Sequence, residues 1–139
     1  MLKNIPNILS PELLKILMEM GHSDEIVIAD GNFPSASTAK RLIRLDGHGV
    51  NEILDAILYL MPLDTYECPV MLMDNKGDGE RPAIWDEYEK TIEKYEGKRD
   101  FELLERFKFY DRAKNAYAVI ATGETAVYAN IILKKGVVK

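Results

Sequence analysis

The chain has 139 residues, 47% of them hydrophobic and 29% charged, with a net charge of −5. That is the size and balance of one ordinary globular domain over residues 1–139, large enough to bury a core without disulfides or metal. The acidic balance argues against a duplex-binding surface, the single cysteine (Cys68) excludes an intramolecular disulfide and a multi-cysteine zinc site, and the apolar run AILYLMPL at 56–63 is far short of the roughly 20 residues that span a membrane. The N-terminal MLKNIPNILSPELL lacks the apolar centre and cleavage site of a signal peptide. A reducing cytoplasm is the expected setting.

Ser10-Pro11-Glu12 opens a helix: Ser10 can cap it, Pro11 fits the first position and Glu12 favours the positive end of the dipole. Leu13, Leu14, Ile16, Leu17 and Met20 recur at helical spacing, and Gly21 tolerates the positive φ of a helix stop. EIVIA (25–29) is too short for a helix ended by Pro34, and its unbroken apolar character predicts a strand covered on both faces. Residues 30–38 read as a loop or the start of a short helix, and RLIRLDG (41–47) as a second strand.

VNEILDAILYLM (50–61) is an amphipathic helix ended by Pro62. PVMLMD (69–74) reads as another buried strand, and NKGDGERP (75–82) as an exposed loop. AIWDEYEKTIEKYEG (83–97) is a helix with a wet face, ended by Gly97. FELLERF (101–107) fits strand or helix, and KFYDRAKNA (108–116) reads as helix. AYAVIATG (116–123) and YANIILKKG (128–136) are the last strands. Strands alternating with helices predict an α/β fold, with helices on both faces of a central, mostly parallel sheet. Two successive strands at the end of the chain predict mixed polarity there.

The familiar nucleotide and hydrolase signatures are missing: no GxxxxGK(S/T), no GxGxxG after a strand, no GxSxG, no HExxH. Asp74, Asp78 and Glu80 lie close together in a polar loop and read as solvated. The remaining groups suit proton transfer and hydroxyl binding, each with a structural alternative. Histidine is the residue type best suited to proton transfer at neutral pH, and His22 follows a helix C-terminus, which suits an acid; a loop histidine is more often a surface residue or a satisfied hydrogen-bond donor. Asp30 ends a buried strand, where open α/β sheets bind ligands, and fits equally a cap of the next turn. Arg106 sits in ERFKFYDRA among aromatics that could stack it against an oxygen-rich ligand. Taken alone, that segment is better read as amphipathic, with core aromatics and solvated charges. Tyr128 and Asn130 share one face if YAN is a strand, offering a phenol and an amide to sugar hydroxyls, with packing and turn formation at least as good an account. Trp85 and Tyr88 read as packing, and His48 as exposed between glycines.

Three stretches, SPELLKILMEMGHSDEIVIAD, RFKFYDRAKNAYAVIATGE and YANIILKKGV, together carry a resemblance to the L-fucose mutarotase / D-ribose pyranase family over essentially the whole chain. GHxD followed by a strand and Asp is common to both branches. The FP at 33–34, RFxFYDRA and the ATGE turn are similar to the fucose branch. The chain departs from the family at Gly31-Asn32, where alanine and often histidine or asparagine stand.

The resemblance implies a cofactor-independent isomerase, with no metal, that interconverts the α and β anomers of L-fucose or a related monosaccharide. A D-ribose pyranase and a non-catalytic sugar-binding module are the alternatives. It implies His22 as proton donor and Asp30, Arg106, Tyr128, Ala129 and Asn130 as sugar-binding residues. It also implies cyclic homo-oligomers, typically decamers of two pentameric rings, with sites between adjacent subunits. At about 3.3 Å per residue EIVIA spans roughly 16–17 Å. His22 and Asp30 of one chain are then expected to lie too far apart to meet one sugar, so that the site draws on two chains; a sharp fold-back before Glu25 is the alternative.

Overall fold

A computed structural model describes residues 1–139. Its elements in chain order are α1 (Pro11–Glu19), β1 (Glu25–Ala29), α2 (Ser35–Thr38), β2 (Leu42–Leu45), α3 (Val50–Leu60), β3 (Val70–Met73), α4 (Ala83–Glu96), β4 (Glu102–Leu104), α5 (Arg106–Asn115), β5 (Ala118–Thr122) and β6 (Ile131–Lys134). The strands form one six-stranded sheet in the order β2-β5-β1-β6-β3-β4. All neighbours are parallel except β6, which runs antiparallel to both β1 and β3.

The predicted α/β architecture is therefore present. The reversed strand lies inside the sheet, with β1 between it and β5. The reason is the connection: residues 123–130 contain no helix, and a parallel return needs a crossover of about a dozen residues or more.

Side chains alternate between the two faces of β1, and Ile26 to Ala29 are buried on both. Ile26 and Ile28 join the larger core with α1, α3 and α4, while Val27 and Ala29 join the smaller core with Phe109 and Ala113 of α5. Both faces of the strand are thus covered, which is why EIVIA shows no polar alternation.

α1 starts as expected, with the Ser10 hydroxyl accepting from the Leu13 amide at 3.2 Å. Its stop is different. Met20 caps it in an extended conformation, and the left-handed residue after the helix is Ser23, φ 73°, rather than Gly21. The Asp24 carboxylate makes this turn work by accepting from the Gly21 amide at 2.7 Å. Gly97 does supply a positive φ, 72°, at the end of α4. FELLERF divides: Glu102–Leu104 pairs with β3, and the Glu105 carboxylate then caps α5 by accepting from the Phe107 and Lys108 amides.

Candidate active site

The carboxyl ends of the parallel strands and the start of β6 lie at one end of the sheet. Here the Asp30 amide donates to Asn130 Oδ1 at 2.7 Å, and Asn130 Nδ2 donates back to Asp30 Oδ2 at 3.1 Å. Asp30 Oδ1 also accepts from the Asn32 amide at 2.9 Å. Both readings of Asp30 therefore hold: it caps the following turn and lines a cleft. Burial pushes its carboxyl above the ordinary value, against hydrogen bonds from Asn32, Phe33 and Asn130, and nearby Glu124 adds to the rise. Its carboxylate is correspondingly a stronger base.

The cleft has a volume of about 390 Å³ and is lined by Asp30, Asn130 and Tyr128, with Phe33, Tyr110 and Asp78 among its walls. YAN is not a strand. Tyr128 adopts a left-handed φ of 55°, and pairing begins only at Ile131. Tyr128 and Asn130 thus reach the cleft from a turn, not from one face of β6.

Two donors from α4 hold that turn. Trp85 Nε1 donates to the Tyr128 carbonyl at 2.8 Å, and the buried Tyr88 hydroxyl donates to the Ala129 carbonyl at 2.6 Å. The packing role expected of Trp85 and Tyr88 is correct, and it includes fixing the backbone at 128–129. Tyr88→Phe would leave the Ala129 carbonyl unpaired in the core, at a cost of about 1–3 kcal/mol. Calorimetry should find a thermal midpoint several degrees lower, and isothermal titration weaker sugar binding as the turn loosens.

Asp78 is exposed, as expected of a solvated loop carboxylate. It also accepts from the Tyr128 hydroxyl at 3.1 Å, and that hydrogen bond pushes the phenol pKa up. Arg106 is exposed at the start of α5 and reaches the cleft only through Tyr110, one of its walls. Its guanidinium lies 5.4 Å from the centre of the Tyr110 ring and 5.6 Å from that of Phe107. Of the aromatics in that segment Phe109 is core, whereas Phe107 is 65% exposed. The reading of the segment as core aromatics with solvated charges therefore fails at Phe107. Arg112, by contrast, points to the far end of the sheet, where it forms a bidentate pair with Glu25.

His22 also lies at that far end, before β1 begins. Its Nε2 is 3.0 Å from Asp64 Oδ1, with the His22 side chain 42% exposed and Asp64 only 1%. The Tyr66 ring lies 5.4 Å away, centre to centre. One chain thus carries two separate polar clusters. Asp30, Tyr128 and Asn130 come together, with Arg106 outside their cleft against the Tyr110 wall; His22 does not join them.

The model described as the RbsD / FucU transport protein family matches residues 3–138. The chain belongs to this family. Within the RbsD / FucU family, a fucose mutarotase of Mus musculus is 51% identical over 143 residues, covering 97% of this chain and 94% of its own. The crystal structure of the fucose mutarotase from Streptococcus pneumoniae in complex with L-fucose is 54% identical, covers 99% of this chain and 100% of its own, and superposes with a TM-score of 0.94. The structure of Bacillus subtilis RbsD complexed with D-ribose is more distant, at 29% identity and a TM-score of 0.76 over the full length of both chains. The resemblance read from the sequence is therefore correct, and similarity is greater on the fucose side.

Proposed function

We propose that this chain, acting as one domain over residues 1–139, interconverts the α and β anomers of L-fucose or a closely related monosaccharide by general acid–base catalysis. The observation that carries this reading is the full-length likeness, at a TM-score of 0.94 and 54% identity, to a fucose mutarotase that binds L-fucose. The cleft at Asp30 supports it chemically. The reaction opens a cyclic hemiacetal and recloses it on the other face. A base takes the anomeric hydroxyl proton as the ring C–O bond breaks, and an acid protonates the departing ring oxygen. Closure reverses both transfers. The opened carbonyl turns before the ring recloses, the only groups transferred are protons between sugar oxygens and side chains, and no atom changes oxidation state, so the step needs no electron carrier.

In this reading His22 is the principal acid/base. Asp30 orients the sugar or serves as the complementary base, a role its raised pKa favours. Arg106 holds a ring or hydroxyl oxygen, and Tyr128, Ala129 and Asn130 bind hydroxyls. Phe33 and Tyr110 give the cleft an apolar wall for a C–H face of the sugar. His22 and Asp30 flank opposite ends of β1, so a complete site takes His22 from one copy and Asp30 from another. The protein is then a homo-oligomer, a decamer by its family resemblance, working in the cytoplasm. No helix is long and apolar enough to cross a membrane.

Exchange NMR on L-fucose, D-ribose and D-galactose tests the function. L-Fucose anomer exchange should be accelerated most. Faster pyranose–furanose exchange of D-ribose would favour a ribose pyranase, and binding without acceleration of any sugar would leave only a sugar-binding module.

A further inference from the structure

Behind His22 stands a carboxylate with no part in the chemistry described so far. Asp64 follows the end of α3, and its side chain is almost wholly buried. Its backbone is fixed on both sides: the amide donates to the Lys134 carbonyl at 3.0 Å, and Arg99 Nη1 donates to its own carbonyl at 2.9 Å. The carboxylate accepts from the Tyr66 and Glu67 amides, each at 3.2 Å, and meets His22 Nε2 at 3.0 Å. Burial alone would push this carboxyl up, but the hydrogen bonds from His22, Tyr66 and Glu67 outweigh it and hold the group below the usual carboxylate range. At neutral pH Asp64 is an anion, and an ionised carboxylate can only accept. The hydrogen of a neutral His22 ring therefore resides on Nε2.

We propose that Asp64 is a positioning residue for mutarotation: it fixes His22 as the Nε2–H tautomer and leaves Nδ1 as the nitrogen that exchanges a proton with the sugar. This rests on the reading of His22 as the acid/base. As the bond between the anomeric carbon and the ring oxygen breaks, the neutral ring accepts the anomeric hydroxyl proton at Nδ1, and the resulting imidazolium delivers it from Nδ1 to the freed ring oxygen; closure reverses both transfers. Asp64 keeps its charge throughout and balances the transient cation. Tyr66, packed against the ring at a tilt of 52°, limits its rotation on the other side. The site would fail with the other tautomer, because Nδ1 would then carry a hydrogen before the base step and Nε2 would face a buried carboxylate.

A purely structural role is the competing account, since Asp64 also caps the turn at 64–67. The experiment combines nitrogen-15 NMR of labelled histidine in the intact protein with kinetics of Asp64→Asn and His22→Ala. In the unmutated protein the neutral His22 ring should carry its proton on Nε2. Asp64→Asn keeps an acceptor oxygen for the turn. It should lose the Nε2–H preference and lower kcat by about tenfold or more while KM stays within about twofold. A His22 ring protonated on Nδ1 in the unmutated protein would overturn the proposal, whether or not the variant folds. So would folded Asp64→Asn with an unchanged kcat, provided His22→Ala is inactive. If His22→Ala is fully active, the acid/base reading of His22 is what fails, and the catalytic role of Asp64 falls with it.

Discussion

Replacing His22 with alanine is expected to lower the rate of L-fucose anomer exchange by about 10²–10⁴-fold, the usual worth of a positioned acid–base group. The fold should survive. The side chain is 42% exposed, so water can occupy the space it leaves. Asp64 keeps the Tyr66 and Glu67 amides as partners. The loss should therefore appear in kcat at an unchanged circular dichroism spectrum. Exchange NMR checks it, because the anomers interconvert slowly enough without catalyst for the enzyme's contribution to be separated. Exchange at the unmutated rate would remove His22 from the chemistry and leave the Asp30 cleft to act with another acid.

The second large effect is on stability. Gly123 closes the turn after β5, and a Cβ built there would lie 2.1 Å from the Asp46 carbonyl oxygen. The obstacle is backbone, so no side-chain rotation relieves it. Gly123→Ala should cost about 3 kcal/mol, at the upper end of ordinary overpacking, and lower the thermal midpoint by about 6–12 °C for a chain of this size. Activity should fall too, for a local reason. The next residue, Glu124, accepts the Gly31 amide at its carbonyl, 2.8 Å away, and its side chain accepts from Val50 at the start of α3. Displacing this turn shifts the residue beside Asp30. Scanning calorimetry and exchange NMR on the same sample would show both losses; a midpoint within a degree of the parent would mean that the turn can open at no cost.

What could be read from the sequence was local. The cap at Ser10, the two-sided burial of EIVIA and the stop at Gly97 each depend on residues a few positions apart, and each stands in the structure. The strand-end position of Asp30 was legible for the same reason. Its partner Asn130 lies 100 residues away, and only strand order brings the two together. Asp78 and Asp64 were missed because their partners, Tyr128 and His22, are 50 and 42 residues distant. Nothing near Asp78 in the sequence separates it from a solvated loop carboxylate. Asp64 carried one faint signal: an acid just past an apolar helix that Pro62 ends, where the chain turns back into the core. The YAN segment misled for a different reason. Its pattern fits a strand, but the hydrogen bonds from Trp85 and Tyr88 hold its backbone in a turn, and those donors are more than 40 residues away.

Because His22 and Asp30 lie at opposite ends of β1, the proposed mechanism takes His22 from one copy and Asp30 from another. Subunit mixing tests it most directly. His22→Ala and Asp30→Asn, each measured alone, are dissociated, combined in equal amounts and allowed to reassemble. With random assembly, about one quarter of the sites would pair an intact His22 with an intact Asp30 from different chains. The account predicts exchange activity near that fraction of the unmutated rate. If the mixed oligomers are no more active than the average of the two variants alone, the site lies within one chain and the account is contradicted.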